Sequence, residues 1–244
     1  MSLYSLLIHG LISDRESSRH TINMNRMKWI FKFFQSTLGR KVIMSLTGLF
    51  LILFLVVHLI GNIKLIADDG GKSFTDFVIF MEHNPLVKIT AWGLYFFIIL
   101  HAIQGTIIWF INRRTKGKGY AVNTSANATW ASKNMFYLGI LIFIFLVIHM
   151  GDWWLELKIL HEYDDAALYQ NVIDTFKIPG YVILYEIAMI ALFFHLKHGF
   201  QSAFQTLGVN HKKYTPIIKG LGWIYSIVVP LGFFIIPLYV YFFI

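Results

Sequence analysis

No cysteine occurs among the 244 residues. That excludes disulfides, thiolate-ligated iron–sulfur clusters and covalent haem attachment through a C-x-x-C-H motif. Any redox metal must be held by histidine or arrive on a non-covalent cofactor. Charge is scarce as well: 14% of the residues are Asp, Glu, Lys or Arg, against roughly 25% in a soluble domain. Only five prolines interrupt the chain, so long helices can run unbroken. What fills the sequence is apolar and aromatic, 57% and 17%, with a mean hydropathy of +0.61. These balances describe an all-α polytopic membrane protein and not a globular domain with an anchor.

A membrane-spanning helix needs roughly 20 mostly apolar residues. Five stretches qualify, at 41–66, 85–111, 135–157, 180–204 and 217–244, and together they make one domain over 41–244. Pro85, Pro179-Gly180 and Pro216 mark three of the starts, and Trp153-Trp154 sit where an aromatic belt is expected. Ahead of the first span, residues 27–40 mix Lys28 and Lys32 with Trp29, Phe31, Phe33 and Phe34. This reads as an interfacial amphipathic helix ending at Gly39. Residues 1–26 read as an N-terminal extension dispensable to the membrane domain. They lack the basic n-region and small-residue cleavage site of a signal peptide, and Met24 and Met27 are alternative starts.

The net charge of +8 does not form a nucleic-acid patch; it is an orientation signal. Sixteen of the 21 Lys and Arg precede the first span or lie in the second and fourth connections, leaving five for the first and third. Acidic residues gather in those two: Asp68, Asp69, Asp76 and Glu82 in the first, Glu156, Glu162, Asp164, Asp165 and Asp174 in the third. The positive-inside rule then puts the N-terminus in the cytoplasm and the C-terminus outside.

Each of the first four spans carries a histidine: His58, His101, His149 and His195. A polar ring in hydrocarbon is costly, so an intramembrane histidine is a functional-site hypothesis by default. Orientation converts position into depth. His58 and His149 fall in the outer halves of outward-running spans, His101 and His195 towards the inner ends of inward-running ones. At 1.5 Å per residue the two levels differ by roughly 8 Å. The histidines thus sort into an outer pair, His58 with His149, and an inner pair, His101 with His195. Two pairs at two depths suit two bis-histidine haems, whose closed coordination favours electron transfer over oxygen binding. Hydrogen bonding between helices, a proton path or another metal are the other uses of such rings. His198, one turn beyond His195, shares its face, with Lys197 beside it in a wetter position. Glycines flank the sites: Gly48 and Gly61 near His58, Gly93 and Gly105 near His101, Gly139 and Gly151 near His149, Gly199 after His195. Small residues would let a flat macrocycle approach the backbone.

One histidine in each of the first four of five spans, SLTGLFLILFLVVH in the first, and HLKHGFQSAFQTLG after the fourth together resemble the di-haem cytochrome b anchor of succinate:quinone oxidoreductases and fumarate reductases, in its single-chain, five-helix form. The resemblance covers about residues 27–244. It implies two b haems, ligated by His58 with His149 and by His101 with His195; the His195-x-x-x-Gly199 spacing resembles the family's fourth-ligand motif and favours His195 over His198. It implies a multi-pass protein of the bacterial cytoplasmic membrane, holding an FAD flavoprotein and an iron–sulfur subunit on the cytoplasmic face. Electrons would pass between those subunits and a quinone, menaquinone by type, with the succinate/fumarate chemistry on a partner; a higher oligomer of the complex is compatible with this. The basic inner surface, with Arg113, Arg114, Lys116, Lys118, Lys212 and Lys213, would dock the partners or serve as orientation charge alone.

Candidate haem-propionate donors are Ser45, close to where the family has a serine, together with Thr47, Trp130, Lys197 and His198. The plainer role for Ser45 and Thr47 is a bond to their own helix backbone. Glu82, beside His83 and Asn84, matches by position an outer-side glutamate that exchanges protons with quinone in the family; an interfacial charge is the alternative. Glu186, an acid inside the fourth span, is a second candidate for proton transfer or quinone binding. Where related fumarate reductases carry a glutamate two residues before the fourth ligand, this chain has Phe193. Other readings are a hydrogenase- or formate dehydrogenase-type cytochrome b, which differs in span number or ligand placement, a histidine-dependent transporter without haem, which inverted repeats would favour, and a haem-free anchor.

Overall fold

In a computed structural model the described residues are 28–29, 32–115, 129–153, 155 and 167–244. The extension 1–26, Phe31, Trp154, Lys116, Lys118 and the acids Glu156, Glu162, Asp164 and Asp165 lie outside them. The chain forms α1 (Thr37–Asn62), a 3₁₀ turn (Ile63–Ile66), α2 (Lys72–His83), α3 (Pro85–Thr115), α4 (Trp130–Met150), α5 (Ala167–Phe176), α6 (Pro179–Thr206) and α7 (Thr215–Phe243). Five of these, α1, α3, α4, α6 and α7, are long and apolar enough to cross a membrane, and no strand occurs among the described residues.

The expected spans are present, with ends moved by capping. Hydropathy starts the third span at 135, but α4 begins at Trp130 because Thr129 caps it, its side chain accepting from the Ser132 amide at 3.2 Å. Regular α4 stops at Met150 and continues as a π-helical turn through Gly151, Asp152 and Trp153. The break ahead of the first span is at Ser36 and not at Gly39. Ser36 Oγ donates to the Phe33 carbonyl at 2.6 Å and accepts from the Gly39 amide at 3.0 Å, closing one helical segment and opening the next. Gly39 is instead buried in the first turn of α1, where a Cβ would collide with the Phe33 carbonyl. Of the expected interfacial helix, Lys28–Trp29 and Lys32–Gln35 are described, and they are helical.

Four of the long helices close a ring: α1 packs on α3, α3 lightly on α4, α4 on α6, and α6 back on α1. The diagonals of this ring are α1 with α4 and α3 with α6. With packed helix axes 8–10 Å apart, a diagonal spans roughly 14 Å. Helix α7 lies outside the ring against α6 and α1. Buried Ala188, Ala191 and Ala203 keep α6 thin enough for close neighbours. Tyr225 of α7 donates its hydroxyl to the Ile52 carbonyl of α1 at 2.6 Å, deep in the apolar layer. Pro230 and Pro237 stay within α7, as neighbouring helices in membranes allow.

Both connections at the α1 C-terminal end fold their own helices, which hydropathy alone gives as loops. Asp69 opens α2, its carboxylate accepting from the Gly71 and Ser73 amides at 3.1 and 2.9 Å. Hydrogen bonding, that of the Ser73 side chain foremost, holds Asp69 below the ordinary carboxylate range. Helix α5 buries Leu168, Val172, Ile173 and Phe176. The two helices meet where Tyr169 packs near Phe74, ring centroids 6.2 Å apart, and directly over Gly71.

Gly70 and Gly71 have φ of +64° and +85°, a region that costs a side-chain-bearing residue about 1–2 kcal/mol. A Cβ on Gly70 meets nothing within 4 Å, whereas one on Gly71 falls 2.5 Å from the Tyr169 ring. Thermal unfolding in detergent should therefore show G70A losing only that backbone cost and G71A losing clearly more. Equal losses would mean that the α2–α5 contact does not hold this end together.

Candidate functional site

The four span histidines meet as two pairs, across the two diagonals of the ring. His58 of α1 faces His149 of α4 with ring centroids 5.8 Å apart and planes at 83°. His101 of α3 faces His195 of α6 at 6.3 Å and 58°. The pairs are those that depth predicts, and His195, not His198, is the residue opposite His101.

The separation of the two levels is larger than expected. Thr47, eleven positions before His58 on α1, touches His101; Tyr185, ten positions before His195 on α6, touches His149. At 1.5 Å per residue this sets the pairs about 15 Å apart along the bundle, not roughly 8 Å. The shorter figure came from measuring depth against span ends that capping and helix extension displace.

Aromatic rings shape the site at the α1 C-terminal end. Phe54 stacks on His58 at 5.1 Å and Phe145 on His149 at 5.5 Å, each one turn before its histidine, and Phe233 of α7 approaches His58 at 5.4 Å. Glycine makes room at the other end. Gly48, next to His58's helix face by sequence, packs on His101 instead: a Cβ there would lie 3.2 Å from His101 Cε1. Gly139 likewise serves His195, at 3.8 Å, and not His149. Gly61 underlies Phe77 and Gly105 meets Met44, while Gly93 and Gly151 have nothing within 4 Å.

Hydrogen bonds single out one ring nitrogen. His101 Nδ1 lies 3.1 Å from Thr47 Oγ1, and His149 Nδ1 lies 3.0 Å from the Tyr185 hydroxyl. Trp153 donates its indole N–H to the same hydroxyl at 2.9 Å. His58 Nδ1 is 3.4 Å from the Asn62 amide nitrogen, a longer contact, and Asn62 also donates to the His58 carbonyl at 2.8 Å. His195 Nδ1 is buried without a hydrogen-bond partner. Each of these ring contacts is made at Nδ1 and not at Nε2.

The other candidates separate. Ser45, buried, donates to the Lys41 carbonyl of its own helix at 2.9 Å. Thr47, also buried, donates to the Ile43 carbonyl at 2.9 Å while meeting His101. Trp130 stands exposed at the start of α4, edge-on to Phe194 at 5.1 Å. Lys197 turns to α7, its ammonium 5.2 Å from the Trp223 ring and 5.6 Å from Phe193. His198 sits one turn beyond His195, half-buried. Glu82 lies in the last turn of α2, at the His58 end of the bundle. Glu186 keeps both carboxylate oxygens buried without hydrogen bonds. Its face of α6 continues to Met189, Ile190 and Phe193, which line a groove of about 380 Å³ with Ile227, Pro230 and Leu231 of α7.

Tyr185 and Asn62 are site neighbours without a place among the sequence candidates, and Trp153, expected in an aromatic belt, instead meets Tyr185 at the site. Asn62 and Trp153 were findable, because each is four residues after a span histidine and so stacked one turn from it. Tyr185 comes from a third helix and has no such local signal.

Among the described residues no three His, Cys, Asp or Glu side chains converge. A bare ion would therefore find two protein ligands, whereas a metal carried in a macrocycle would need no more than two. An imidazole nitrogen binds a first-row metal at about 2.0 Å and lies about 1.1 Å from its ring centre, so two imidazoles sharing one metal have centroids up to about 6.2 Å apart. The observed 5.8 and 6.3 Å are close to that span. With Gly48 and Gly139 leaving space beside His101 and His195, these donors would suit a haem at that level, and the His58–His149 pair offers donors of the same kind.

Compared with protein-family models, with curated proteins and with solved structures, the chain matches none.

With no native cysteine, paired cysteine variants can be cross-linked without background. A short bismaleimide should join 58 to 149 and 101 to 195 within one chain, read by mass after digestion. Faster joining of 58 to 195, or of 101 to 149, would refute the diagonal pairing.

Proposed function

We propose that this chain is the membrane-anchor cytochrome b subunit of a succinate dehydrogenase or fumarate reductase. The observation that carries the reading is the meeting of four intramembrane histidines as two pairs across the two diagonals of one helix ring, with ring centroids 5.8 and 6.3 Å apart. His58 and His149 hold one b haem, His101 and His195 the other. A bound b haem with two imidazole ligands supplies single-electron transfer, having no open position for oxygen.

The chain's own residues do the rest. The stacked Phe54 and Phe145 orient the His58 and His149 rings and keep water from them. Gly48 and Gly139 leave the space that a side chain would deny at His101 and His195. Trp130 and His198 are the described candidates for propionate contact at the second level; Ser45, Thr47 and Lys197 would have to turn from the partners they hold.

In this reading the N-terminus and the His101–His195 level face the cytoplasm of a bacterium, where the flavoprotein and iron–sulfur subunits dock on the basic surface. Electrons pass between the iron–sulfur subunit and menaquinone, and succinate or fumarate reacts on the flavoprotein. Glu82 lies at the end where quinone exchanges protons. Glu186, on the α7 side of α6, is the second candidate for that exchange.

A dithionite-reduced minus oxidised spectrum, with haem counted as its pyridine complex, tests the reading. Two b haems per chain are expected. H58A and H149A should each lose the same one, H101A and H195A the other, and H198A neither ligand set. Haem-free protein in a well-folded preparation would end the cytochrome reading.

A further inference from the structure

Each histidine pair is touched by one hydroxyl from a helix that carries a ligand of the opposite pair. Helix α1 bears His58 for one level and Thr47 at the other; helix α6 bears His195 for one level and Tyr185 at the other. Thr47 and His58 are eleven positions apart, three turns and about 20° of rotation, so they share a face of α1.

The chemistry at Thr47 fixes a direction. Its hydroxyl has one proton, and that proton is engaged by carbonyls of its own helix, Ile43 at 2.9 Å and Met44 at 3.1 Å. What remains towards His101 is a lone pair, so the 3.1 Å contact requires His101 Nδ1 to carry the proton and donate. A neutral imidazole protonated on Nδ1 has its basic lone pair on Nε2. Tyr185 differs. Trp153 donates to its oxygen at 2.9 Å, but its own O–H is not tied to a helix carbonyl as that of Thr47 is, so the 3.0 Å contact with His149 Nδ1 suits donation in either direction. The Thr47 hydroxyl is closed to competing water, the residue being 3% exposed.

We propose that Thr47 is a positioning residue that fixes the ring and the Nε2-basic tautomer of His101. The metal that this ring would serve rests on the cytochrome reading above; the tautomer does not. A hydrogen bond from Nδ1–H makes the imidazole a stronger donor to a metal and stabilises its oxidised state. Thr47 meets the His101–His195 level and not the other, so it acts on that site alone.

Thr47→Val keeps shape and removes one oxygen. Haem content is counted first, and the midpoint of each haem is then titrated in the full-length protein. Thr47→Val should raise the potential of the His101–His195 site alone, by about 59 mV for a tenfold change in relative ferric affinity. The untouched site reports that the fold is intact. Thr47→Ser should restore the wild-type value, and Thr90→Val, which removes a hydroxyl bonded to its own helix, should change neither.

Potentials that stay put in Thr47→Val, or that move together at both sites, overturn the proposal. Protein that binds no haem defeats the cytochrome reading but not this one, because ¹⁵N spectra of histidine-labelled protein then report the tautomers directly. Nδ1–H at His101 in the wild type, lost in Thr47→Val, supports the assignment; an Nε2–H ring at His101 in the wild type overturns it.

Discussion

The structure depends on one constraint: four imidazoles lie in a layer where no water can satisfy them. An unpaired polar group there costs several kcal/mol, and of the four only His58 finds a hydrogen-bonding side chain on its own helix, Asn62, in a long contact. The fold answers by bringing the rings together in twos and by giving two of them a buried hydroxyl from a third helix. That requirement explains the ring of four helices better than hydrophobic packing does, since lipid tails are as apolar as the helix faces and would exert no comparable pull. It also explains why α7, which carries no histidine, packs outside the ring and is bound to it by one tyrosine–carbonyl bond in addition to apolar contact.

Diagonal pairing has a further consequence. Neighbouring helices in the ring approach at ordinary packing distance, but the helices that share a histidine pair do not; only their side chains meet. Side-chain size at the inner faces therefore governs what fits between them. Glycine at 48 and 139 and phenylalanine at 54 and 145 are opposite solutions at the two levels. One level is opened by removing side chains, the other is walled by stacked rings. The level with phenyl walls is also the one beneath α2 and α5, where Phe176 packs on Tyr185 at 4.9 Å and continues the aromatic cluster to the end of the bundle.

Much of this is legible from residues alone. Length and hydropathy are enough to place five helices, because a bilayer sets a minimum apolar run and little else in the chain reaches it. Helix rise is enough to pair His58 with His149 and His101 with His195, because depth depends only on counting. Lateral order is different. Nothing in the span sequences says which helices are neighbours, so Gly48 was assigned by proximity in sequence to His58 although it serves a ring on α3. The same limit hides Tyr185, whose partner is on another helix, and leaves the two levels too close together. The helices α2 and α5 escape hydropathy because they are short and half polar; their stability comes from contacts such as Tyr169 over Gly71, which exist only once the long helices are in place.

Helices α1 and α6 are the members that couple the levels. Each spans both sites, one with a ligand and the other with a hydroxyl, and the two pack against each other along the ring. A displacement of α1 along its axis would move His58 and Thr47 together, altering both pairs at once, whereas α3 carries one ligand, His101, and α4 reaches the second level through Gly139 beside His195. The sites are thus independent in chemistry but share a mechanical frame. A frame of this kind holds two histidine pairs about 15 Å apart without any direct bond between them. It places the burden of alignment on the interior faces of two helices, which is where the buried polar side chains Ser45, Thr47 and Tyr185 are found.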